Sequence, residues 1–319
     1  MALAPKNWLP FRKPDLSVNF AGLSFKNPVI AASGTFGYGI EFEDIVSLDK
    51  LGGFVTKGLS REPMVGNPPP RLFETAAGML NSIGLQNIGA QAFVDEKLPR
   101  LNKRKNLVVI CNVFGYARED YEAVIRILNE AEGIAAYELN VSCPNTKQGG
   151  IAFGSDRVSL EELVAGCKAA SRRPLIVKLS PNVTSIAQMA KGAENAGADA
   201  ISLVNTFVAM AIDAETRKPR ISNVTAGLSG PAIKPIALRM VYEAAHTVDI
   251  PVIGIGGIST AEDVIEFMLA GAAAVQVGTA NYWDPCATEK IVDGVRRWCA
   301  EHRVEKITDL VGGLQTEQS

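Results

Sequence analysis

The sequence of 319 residues lacks the cysteine and histidine patterns that mark several classes of protein. Its five cysteines are widely spaced and form no CxxC pair, and it has only two histidines. This composition argues against a disulfide scaffold, an iron–sulfur cluster or a structural zinc site within the chain. We therefore expect no metal on this chain and a cytoplasmic location.

The chain also lacks an excess of charge and long apolar runs. Lys and Arg total 32 against 34 for Asp and Glu, so a nucleic-acid or anionic membrane partner is not expected. No apolar stretch reaches the roughly 18 residues that a membrane span needs. Residues 1–20 contain several charges and no apolar core of a signal peptide. At 47% hydrophobic residues, however, the chain can bury a large core.

What the sequence does contain is a repeated pattern of a short apolar segment followed by a helical pattern. The eight predicted strands are 28–32, 53–56, 107–111, 136–141, 175–179, 200–204, 251–255 and 273–277. The predicted helices lie near 41–50, 87–98, 118–132, 159–171, 184–196, 231–248, 260–270 and 285–301. Two of them are expected to begin at capping residues, Ser159 before Glu161–Glu162 and Thr260 before Glu262–Asp263. Strands that are apolar throughout are typical of parallel sheets buried on both faces. Eight such units predict a single α/β domain over residues 1–319, a (β/α)8 TIM barrel. A two-domain Rossmann arrangement is the main rival, but no composition break offers a linker.

Three connections are too long to be simple turns and predict long active-site loops at the carboxyl-terminal face of the barrel. They are residues 59–86, 142–156 and 205–230. The second contains Gly149, Gly150 and Gly154, and we expect it to act as a lid.

Nearly every predicted strand ends in a polar residue or a glycine pair. The residues are Ser33, Lys57, Asn112, Asn140, Lys178, Asn205, Gly256–Gly257 and Gly278–Thr279. Active sites of TIM barrels lie at these strand ends, and phosphate groups bind after strands seven and eight on bare backbone N–H groups and a helix N-terminus. The glycines therefore favour a phosphate site, with tight turn geometry as the alternative.

Two lysines at strand ends, Lys57 and Lys178, lie within apolar runs. A buried lysine needs an anionic partner. The residues alone leave three possibilities open: a structural ion pair, a site for an anionic ligand or developing negative charge, and a Schiff-base lysine.

Cys143 lies on a polar loop just after strand four, whereas the other four cysteines lie in strand or helix patterns that suit small buried side chains. A base role for its thiol would require surroundings that aid proton loss. Six asparagines, taken singly, suit turns, but together with the two lysines they favour a ligand that is a neutral-to-anionic heterocycle. They are Asn81, Asn87, Asn112, Asn140, Asn145 and Asn205.

The ordered set of motifs resembles the class 1 dihydroorotate dehydrogenases over about residues 16–300. The motifs are TKG at 56–58, NSIGLQN at 81–87, ELNVSCPN at 138–145, VKLSPN at 177–182, VNT at 204–206, GLSGPAIKP at 227–235, IGGI at 255–258 and VGTAN at 277–281. Within the class, GTFGYG at 34–39 and GML at 78–80 are similar to type B, the catalytic subunit of the NAD-linked enzymes.

The resemblance implies one FMN per chain and the oxidation of dihydroorotate to orotate in pyrimidine (UMP) biosynthesis. It implies that Cys143 takes a proton from C5 of dihydroorotate while a hydride leaves C6 for FMN. Lys57 would neutralise the substrate carboxylate, and Lys178 would stabilise negative charge on the reduced flavin. The implied FMN contacts are Ser33, Lys57, Gly58, Asn112, Asn140, Lys178, Val204, Gly230, Gly256, Gly257, Gly278 and Thr279. The implied substrate contacts are Lys57, Asn81, Ser82, Ile83, Gly84, Leu85, Asn140, Asn145, Asn205 and Thr206.

Type B resemblance further implies a partner subunit that carries FAD and a [2Fe–2S] cluster and passes electrons to NAD+, with a homodimer of this chain at the core of a heterotetramer. The alternatives are a type A-like enzyme that uses fumarate and, in another class, a Schiff-base lyase using Lys178. The sequence departs from the family pattern at Ala209, Ala211 and Ala226, where glycine is usual at or near these positions, and this puts the shape of the loop after strand six in doubt.

Overall fold

The computed structural model describes residues 13–142 and 153–316. In chain order their strands are β1 (Val18–Phe20), β2 (Leu23–Phe25), β3 (Val29–Ala31), β4 (Gly53–Val55), β5 (Leu72–Thr75), β6 (Gly78–Asn81), β7 (Val109–Val113), β8 (Ala136–Asn140), β9 (Leu175–Lys178), β10 (Ala200–Leu203), β11 (Phe207–Ala209), β12 (Ile212–Asp213), β13 (Lys218–Pro219), β14 (Ala226–Ser229), β15 (Val252–Ile255) and β16 (Ala274–Val277).

Eight of these strands form a closed parallel barrel. The order around it is β3, β4, β7, β8, β9, β10, β15 and β16, and β16 pairs with β3 to close the ring. All the residues of these strands are buried except the last one of β8, because the barrel interior covers one face and the helices cover the other. The predicted (β/α)8 TIM barrel is confirmed.

Helices follow most of the barrel strands. The α-helices are α1 (Ala90–Ala92), α2 (Leu98–Leu101), α3 (Arg118–Asn129), α4 (Arg157–Ala170), α5 (Ile186–Asn195), α6 (Lys234–Ala245), α7 (Ala261–Leu269), α8 (Ala280–Trp283) and α9 (Ala287–Glu301). One turn of π-helix, Phe93–Lys97, joins α1 to α2. Seven predicted helices therefore exist within a few residues of their expected bounds.

The helix predicted near 41–50 is wrong. Two short 3-10 turns, Ile40–Phe42 and Leu48–Lys50, occupy this segment. Between them Ser47 is extended, and its backbone N–H donates to Oε2 of Glu289 at 2.9 Å. This tertiary hydrogen bond takes a backbone group out of helical pairing, so the segment breaks into two turns.

The helix caps differ in how well the sequence predicted them. At α7, Thr260 Oγ1 accepts from the N–H of Asp263 at 3.2 Å, and Asp263 Oδ2 accepts from the N–H of Thr260 at 2.8 Å. This is the expected cap, reinforced as a capping box. At α4 the cap is Asp156, whose carboxylate accepts from the N–H of Ser159. Ser159 is thus inside the helix, contrary to expectation.

Two of the long connections contain strands rather than irregular loop. Residues 59–86 contribute β5 and β6, residues 205–230 contribute β11 and β14, and the four pair antiparallel in the order β11, β14, β6, β5. Ala209 and Ala226, two of the departures from the family pattern, are Cα partners across β11 and β14. The absence of glycine there suits a strand, so these residues are compatible with the loop's structure.

Candidate active site

The carboxyl ends of the eight parallel strands lie on one face of the barrel, and this face collects the residues that the sequence singled out. The register sets Asn140, the last residue of β8, beside Lys178, the last residue of β9. Ser33, Lys57, Gly58, Val204 and Asn205 follow other strand ends at half-buried or buried positions.

Lys178 has an anionic partner that the sequence did not single out. Its side chain is 7% exposed, and its Nζ lies 3.8 Å from Oε1 of Glu138, which is fully buried within β8. Of the three possibilities for this lysine, the ion pair is therefore present, and it lies at the carboxyl face of the barrel. A carboxylate inside an otherwise apolar strand was the signal that could have revealed Glu138.

Three further side chains, from three different strands, donate hydrogen bonds to Glu138. Asn112 Nδ2 donates to Oε1 at 2.8 Å. Ser202 Oγ and Gln276 Nε2 donate to Oε2 at 2.9 and 2.6 Å. Within the described residues, the amide oxygens of Asn112 and Gln276 are buried and have no hydrogen-bond partner. The carboxylate of Glu138 thus has a full set of hydrogen-bond donors, while two amide oxygens of the cluster remain without a donor in the described part of the chain.

Lys57, the other lysine, lies in a different electrostatic environment. Burial lowers the pKa of its ammonium group, and the nearby positive charge of Arg71 lowers it further. Arg71 was not predicted from the sequence; it donates to Gln86 Oε1 at 2.7 Å and to the carbonyl oxygen of Asn67 at 3.3 Å. The positive charges of Lys57 and Arg71 oppose each other, and an anionic ligand would relieve this repulsion.

Two of the predicted asparagines contact each other. Asn205 Nδ2 donates to Asn140 Oδ1 at 3.2 Å, and Tyr121 Oη donates to the carbonyl oxygen of Asn140 at 2.8 Å. The first bond links a residue just after β10 to the end of β8, and the second ties the end of β8 to α3. Neither amide is fully used by them, so both retain donor or acceptor capacity for a ligand.

The four-stranded antiparallel sheet brings together predicted substrate residues from two distant loops. Gly227 pairs with Asn81 on one side and with Val208 on the other. Asn81 Nδ2 lies 3.4 Å from the carbonyl oxygen of Gly227, to which it donates. A Cβ at Gly227 would collide with Oγ1 of Thr206, so this glycine permits the close approach. Asn81 and Thr206 thereby share one surface.

The rest of the predicted substrate loop is held by Asn67. Asn67 N–H donates to the carbonyl oxygen of Ile83 at 2.9 Å, and its side chain donates to Ser82. Gly84 and Leu85 both have positive φ, 74° and 58°. The segment is thus a shaped loop rather than a strand.

Asn87 has a structural role instead of facing a ligand. Its Nδ2 donates to Ser60 Oγ at 2.8 Å and to the carbonyl oxygen of Leu85 at 2.9 Å, and its Oδ1 accepts from the N–H of Gly89. The hydrogen bonds of its amide are all made within the loop, so the turn alternative holds for Asn87 and the heterocycle-facing one does not.

The glycine turns after β15 and β16 lie at the ends of these strands, and two backbone N–H groups at the start of α7, those of Thr260 and Asp263, already form hydrogen bonds. Gly257 has φ of 74°, and a Cβ there would lie 2.8 Å from the carbonyl oxygen of Gly230. Thr279 Oγ1 donates to Ser229 Oγ at 2.8 Å. The start of α7 is capped by the carboxylate of Asp263. An anion at this edge would therefore find fewer free N–H groups at the start of α7 and would depend more on the glycine backbone.

Cys143 and Asn145 lie outside the described residues, as does most of the segment predicted to be a lid. Among the four described cysteines, Cys111, Cys167 and Cys299 are buried, and burial raises the pKa of each thiol. Burial raises the pKa of the Cys167 thiol to about 12. These three thiols are suited to packing rather than to base catalysis.

The described parts of the chain, 13–142 and 153–316, lack two features that mark other classes of protein. They contain no group of three or more His, Cys, Asp or Glu side chains arranged to hold a metal ion. None of the helices found there has the length and apolar character required to span a bilayer.

Comparison with known proteins identifies the family. A family model described as dihydroorotate dehydrogenase matches residues 15–298. A putative dihydroorotate dehydrogenase A (fumarate) of Solibacter usitatus is 59% identical over 302 residues, which cover 95% of this chain and 99% of the relative. Proteins named dihydroorotate dehydrogenase B (NAD(+)), catalytic subunit, are 55% identical in Pelobacter propionicus and 54% identical in Trichlorobacter lovleyi, with the same coverage. The resemblance found in the sequence is confirmed, and the chain belongs to the dihydroorotate dehydrogenase family.

Proposed function

We propose that this chain oxidises dihydroorotate to orotate in pyrimidine (UMP) biosynthesis, as one FMN-binding domain with one FMN per chain. The observation that carries the proposal is the meeting of Lys178, Asn112, Asn140 and Asn205 at the carboxyl face of a barrel of this family. The names of the relatives from Pelobacter propionicus and Trichlorobacter lovleyi support the same activity.

The residues at the barrel mouth fit a flavin mononucleotide. Lys178 offers a cation at the centre, and the amide oxygens of Asn112 and Gln276 are acceptors without partners in the described part of the chain. A flavin edge offers both an N–H group and carbonyl oxygens to such a set. Gly257 and Gly278 are half-buried and have no side chain to cover their backbone, which suits a phosphate group. The proposed FMN-binding residues are Ser33, Lys57, Gly58, Asn112, Asn140, Lys178, Val204, Gly230, Gly256, Gly257, Gly278 and Thr279.

The proposed substrate contacts are Lys57, Asn81, Ser82, Ile83, Gly84, Leu85, Asn140, Asn145, Asn205 and Thr206. Lys57 would pair with the carboxylate of dihydroorotate, which is consistent with its position beside Arg71. An arriving carboxylate would stabilise the charged form of Lys57 and oppose the effect of burial on its pKa.

For the chemistry, Cys143 would take the proton from C5 of dihydroorotate. FMN, when bound, supplies the hydride acceptor for C6. Lys178 would place a fixed positive charge where negative charge develops, which is the most effective form of electrostatic stabilisation in a site that excludes water.

For the electrons, we propose a partner subunit that carries FAD and a [2Fe–2S] cluster and reduces NAD+, bound to a homodimer of this chain in a heterotetramer. The relatives named as catalytic subunits of type B support a partner. The Solibacter relative, named for fumarate, supports the type A alternative. The four described cysteines are free thiols, as a cytoplasmic location would require.

Electron acceptors test this proposal directly. The purified FMN-loaded chain should reduce an artificial dye with dihydroorotate but should not reduce NAD+, and addition of the partner subunit should establish NAD+ reduction. Rapid NAD+ reduction by the chain alone would contradict the need for a partner. Efficient fumarate reduction would favour the type A alternative, and no reaction with dihydroorotate under any condition would contradict the proposed activity.

Replacement of Cys143 tests the base. Cys143→Ala should bind FMN normally but lose flavin reduction by dihydroorotate by about 10²–10⁴-fold, which is the usual contribution of a general base. Stopped-flow absorbance of the flavin measures the rate. Cys143→Ser should retain a residual rate that increases with pH, because a hydroxyl is a weaker acid than a thiol. An unchanged rate in the alanine variant would show that another group is the base.

A further inference from the structure

Glu138 combines complete burial with contacts to four other strands of the barrel. Its carboxylate lies in β8 and meets Asn112 of β7, Lys178 of β9, Ser202 of β10 and Gln276 of β16. A buried carboxylate is strongly unfavourable unless hydrogen bonds and an opposite charge compensate it. Here both forms of compensation are present, since three neutral donors and one ammonium group surround it.

The contacts also determine how the two amides are oriented. An ionised carboxylate only accepts hydrogen bonds, so Asn112 and Gln276 must each turn the NH2 group toward it. Their oxygens then point away from Glu138. A Cβ built on Gly58 would lie 3.0 Å from Oδ1 of Asn112, which places this oxygen against the loop just beyond the end of β4. Glu138 thus sets the direction of an acceptor at the site.

The same carboxylate sets the charge at the centre of the site. Lys178 is the lysine proposed to stabilise reduced FMN. Its Nζ lies 3.8 Å from Oε1 of Glu138, so the two groups form an ion pair but not a short hydrogen bond. The ammonium protons are therefore not committed to Glu138. The lysine keeps its donors for a ligand while the net charge of the pair stays near zero.

We propose that Glu138 is a positioning residue of the flavin site, which holds Lys178 and turns the amide oxygen of Asn112 toward the bound cofactor. The inference rests on the proposed function, because it takes FMN as the ligand. Glu138 acts through its neighbours and does not touch the reacting atoms.

The reduction potential of bound FMN tests the charge part of this inference. Glu138→Gln keeps the shape of the side chain but removes its charge, so Lys178 would act on the flavin uncompensated. Because reduced FMN is more negative than oxidised FMN, the midpoint potential should rise. Redox titration of the FMN-loaded chain, followed by flavin absorbance, measures it.

The affinity for oxidised FMN tests the orientation part. Glu138→Gln should weaken FMN binding to the apoprotein about tenfold, since Asn112 loses its fixed orientation, a change comparable to the loss of one hydrogen bond. In an Asn112→Ala background the same substitution should weaken binding by less than about threefold, because coupled residues are not additive. Equal effects in both backgrounds would overturn the orientation role.

Ser202→Ala is the matched control. It removes one neutral donor from the same carboxylate while leaving the charge in place, so it should reduce thermal stability without a comparable change in potential. If Ser202→Ala raises the potential as much as Glu138→Gln does, the effect is one of packing and the inference fails.

The outcomes also separate this inference from the proposed function. FMN-loaded Glu138→Gln with a wild-type potential would overturn the inference alone, whereas wild-type chain that binds no FMN would overturn both. If Glu138→Gln does not fold, Glu138→Asp decides, because it keeps the charge but withdraws it from Lys178 and Asn112. It should show weaker FMN binding and a smaller rise in potential, and wild-type values for both would overturn the inference.

Discussion

Two buried carboxylates of this barrel, Glu138 and Asp263, are each paired with a lysine. They differ in whether the polar groups around them still have hydrogen-bonding positions free. Lys234 Nζ lies 2.6 Å from Oδ1 of Asp263, and Oδ2 accepts from the N–H groups of Ser259 and Thr260 at 2.7 and 2.8 Å. The bonds of Asp263 are short and stay within the start of α7 and its neighbour α6.

Glu138 shows the opposite arrangement. Lys178 Nζ lies 3.8 Å from Oε1 of Glu138, which is longer than a hydrogen bond. Two of the hydrogen-bond donors to Glu138, Asn112 and Gln276, have amide oxygens without partners among the described residues. A cluster that consumes all its polar groups stabilises the fold, whereas one that leaves donors and acceptors free near a strand end can take a ligand. Both carboxylates are buried and paired with a lysine, so neither property separates them. What marks the proposed functional carboxylate is that its neighbours keep hydrogen-bonding groups free for a ligand.

The largest expected effect is on the turnover of dihydroorotate, which should depend on Lys178 and not on Lys234. Lys178→Met should lower the turnover of dihydroorotate with an artificial dye by at least about 10²-fold, because a charge aimed at the transition state is lost. Lys234→Met should leave turnover within about threefold of wild type but lower stability by about 1–2 kcal/mol through the loss of charge-assisted hydrogen bonds. Dye reduction and urea unfolding of FMN-loaded protein measure the two effects. Similar turnover in both variants would remove the distinction.

A smaller effect concerns the pH dependence of stability at Asp263. Burial acts to raise the pKa of this carboxyl, but the hydrogen bonds from Lys234, Ser259 and Thr260 outweigh it, and the pKa is lowered overall. A carboxyl with a lowered pKa in the folded state contributes stability above its unfolded pKa, near 4, and loses it as pH falls through the folded value.

Asp263→Asn should therefore cost about 2 kcal/mol at pH 7, and the difference from wild type should shrink as pH falls below about 4. Urea unfolding at several pH values gives the two curves. A difference that stays constant down to pH 3 would show that the charge of Asp263 contributes little.

The sequence could predict the barrel because each of its strands is apolar along its whole length. Segments such as 200–204 and 273–277 correspond to β10 and β16 within one residue at each end. The helix near 41–50 failed because Ser47 donates to Glu289, about 240 residues away along the chain, and such a contact has no local signature.

The amino-acid sequence by itself determined the number of barrel strands, the residues at the strand ends and the family, since these depend on local patterns and on ordered motifs. Only the tertiary structure decided which polar groups form hydrogen bonds within the protein and which remain free for a ligand. Asn87 and Asn205 are alike in the sequence, yet Asn87 is consumed by Ser60 and Gly89, while Asn205 meets Asn140 at the site. Glu138 becomes the centre of the site only when the barrel closes, because its donors come from strands on different sides of it. Hydrogen bonds act over about 3 Å, so their partners are set by the fold and not by distance along the chain.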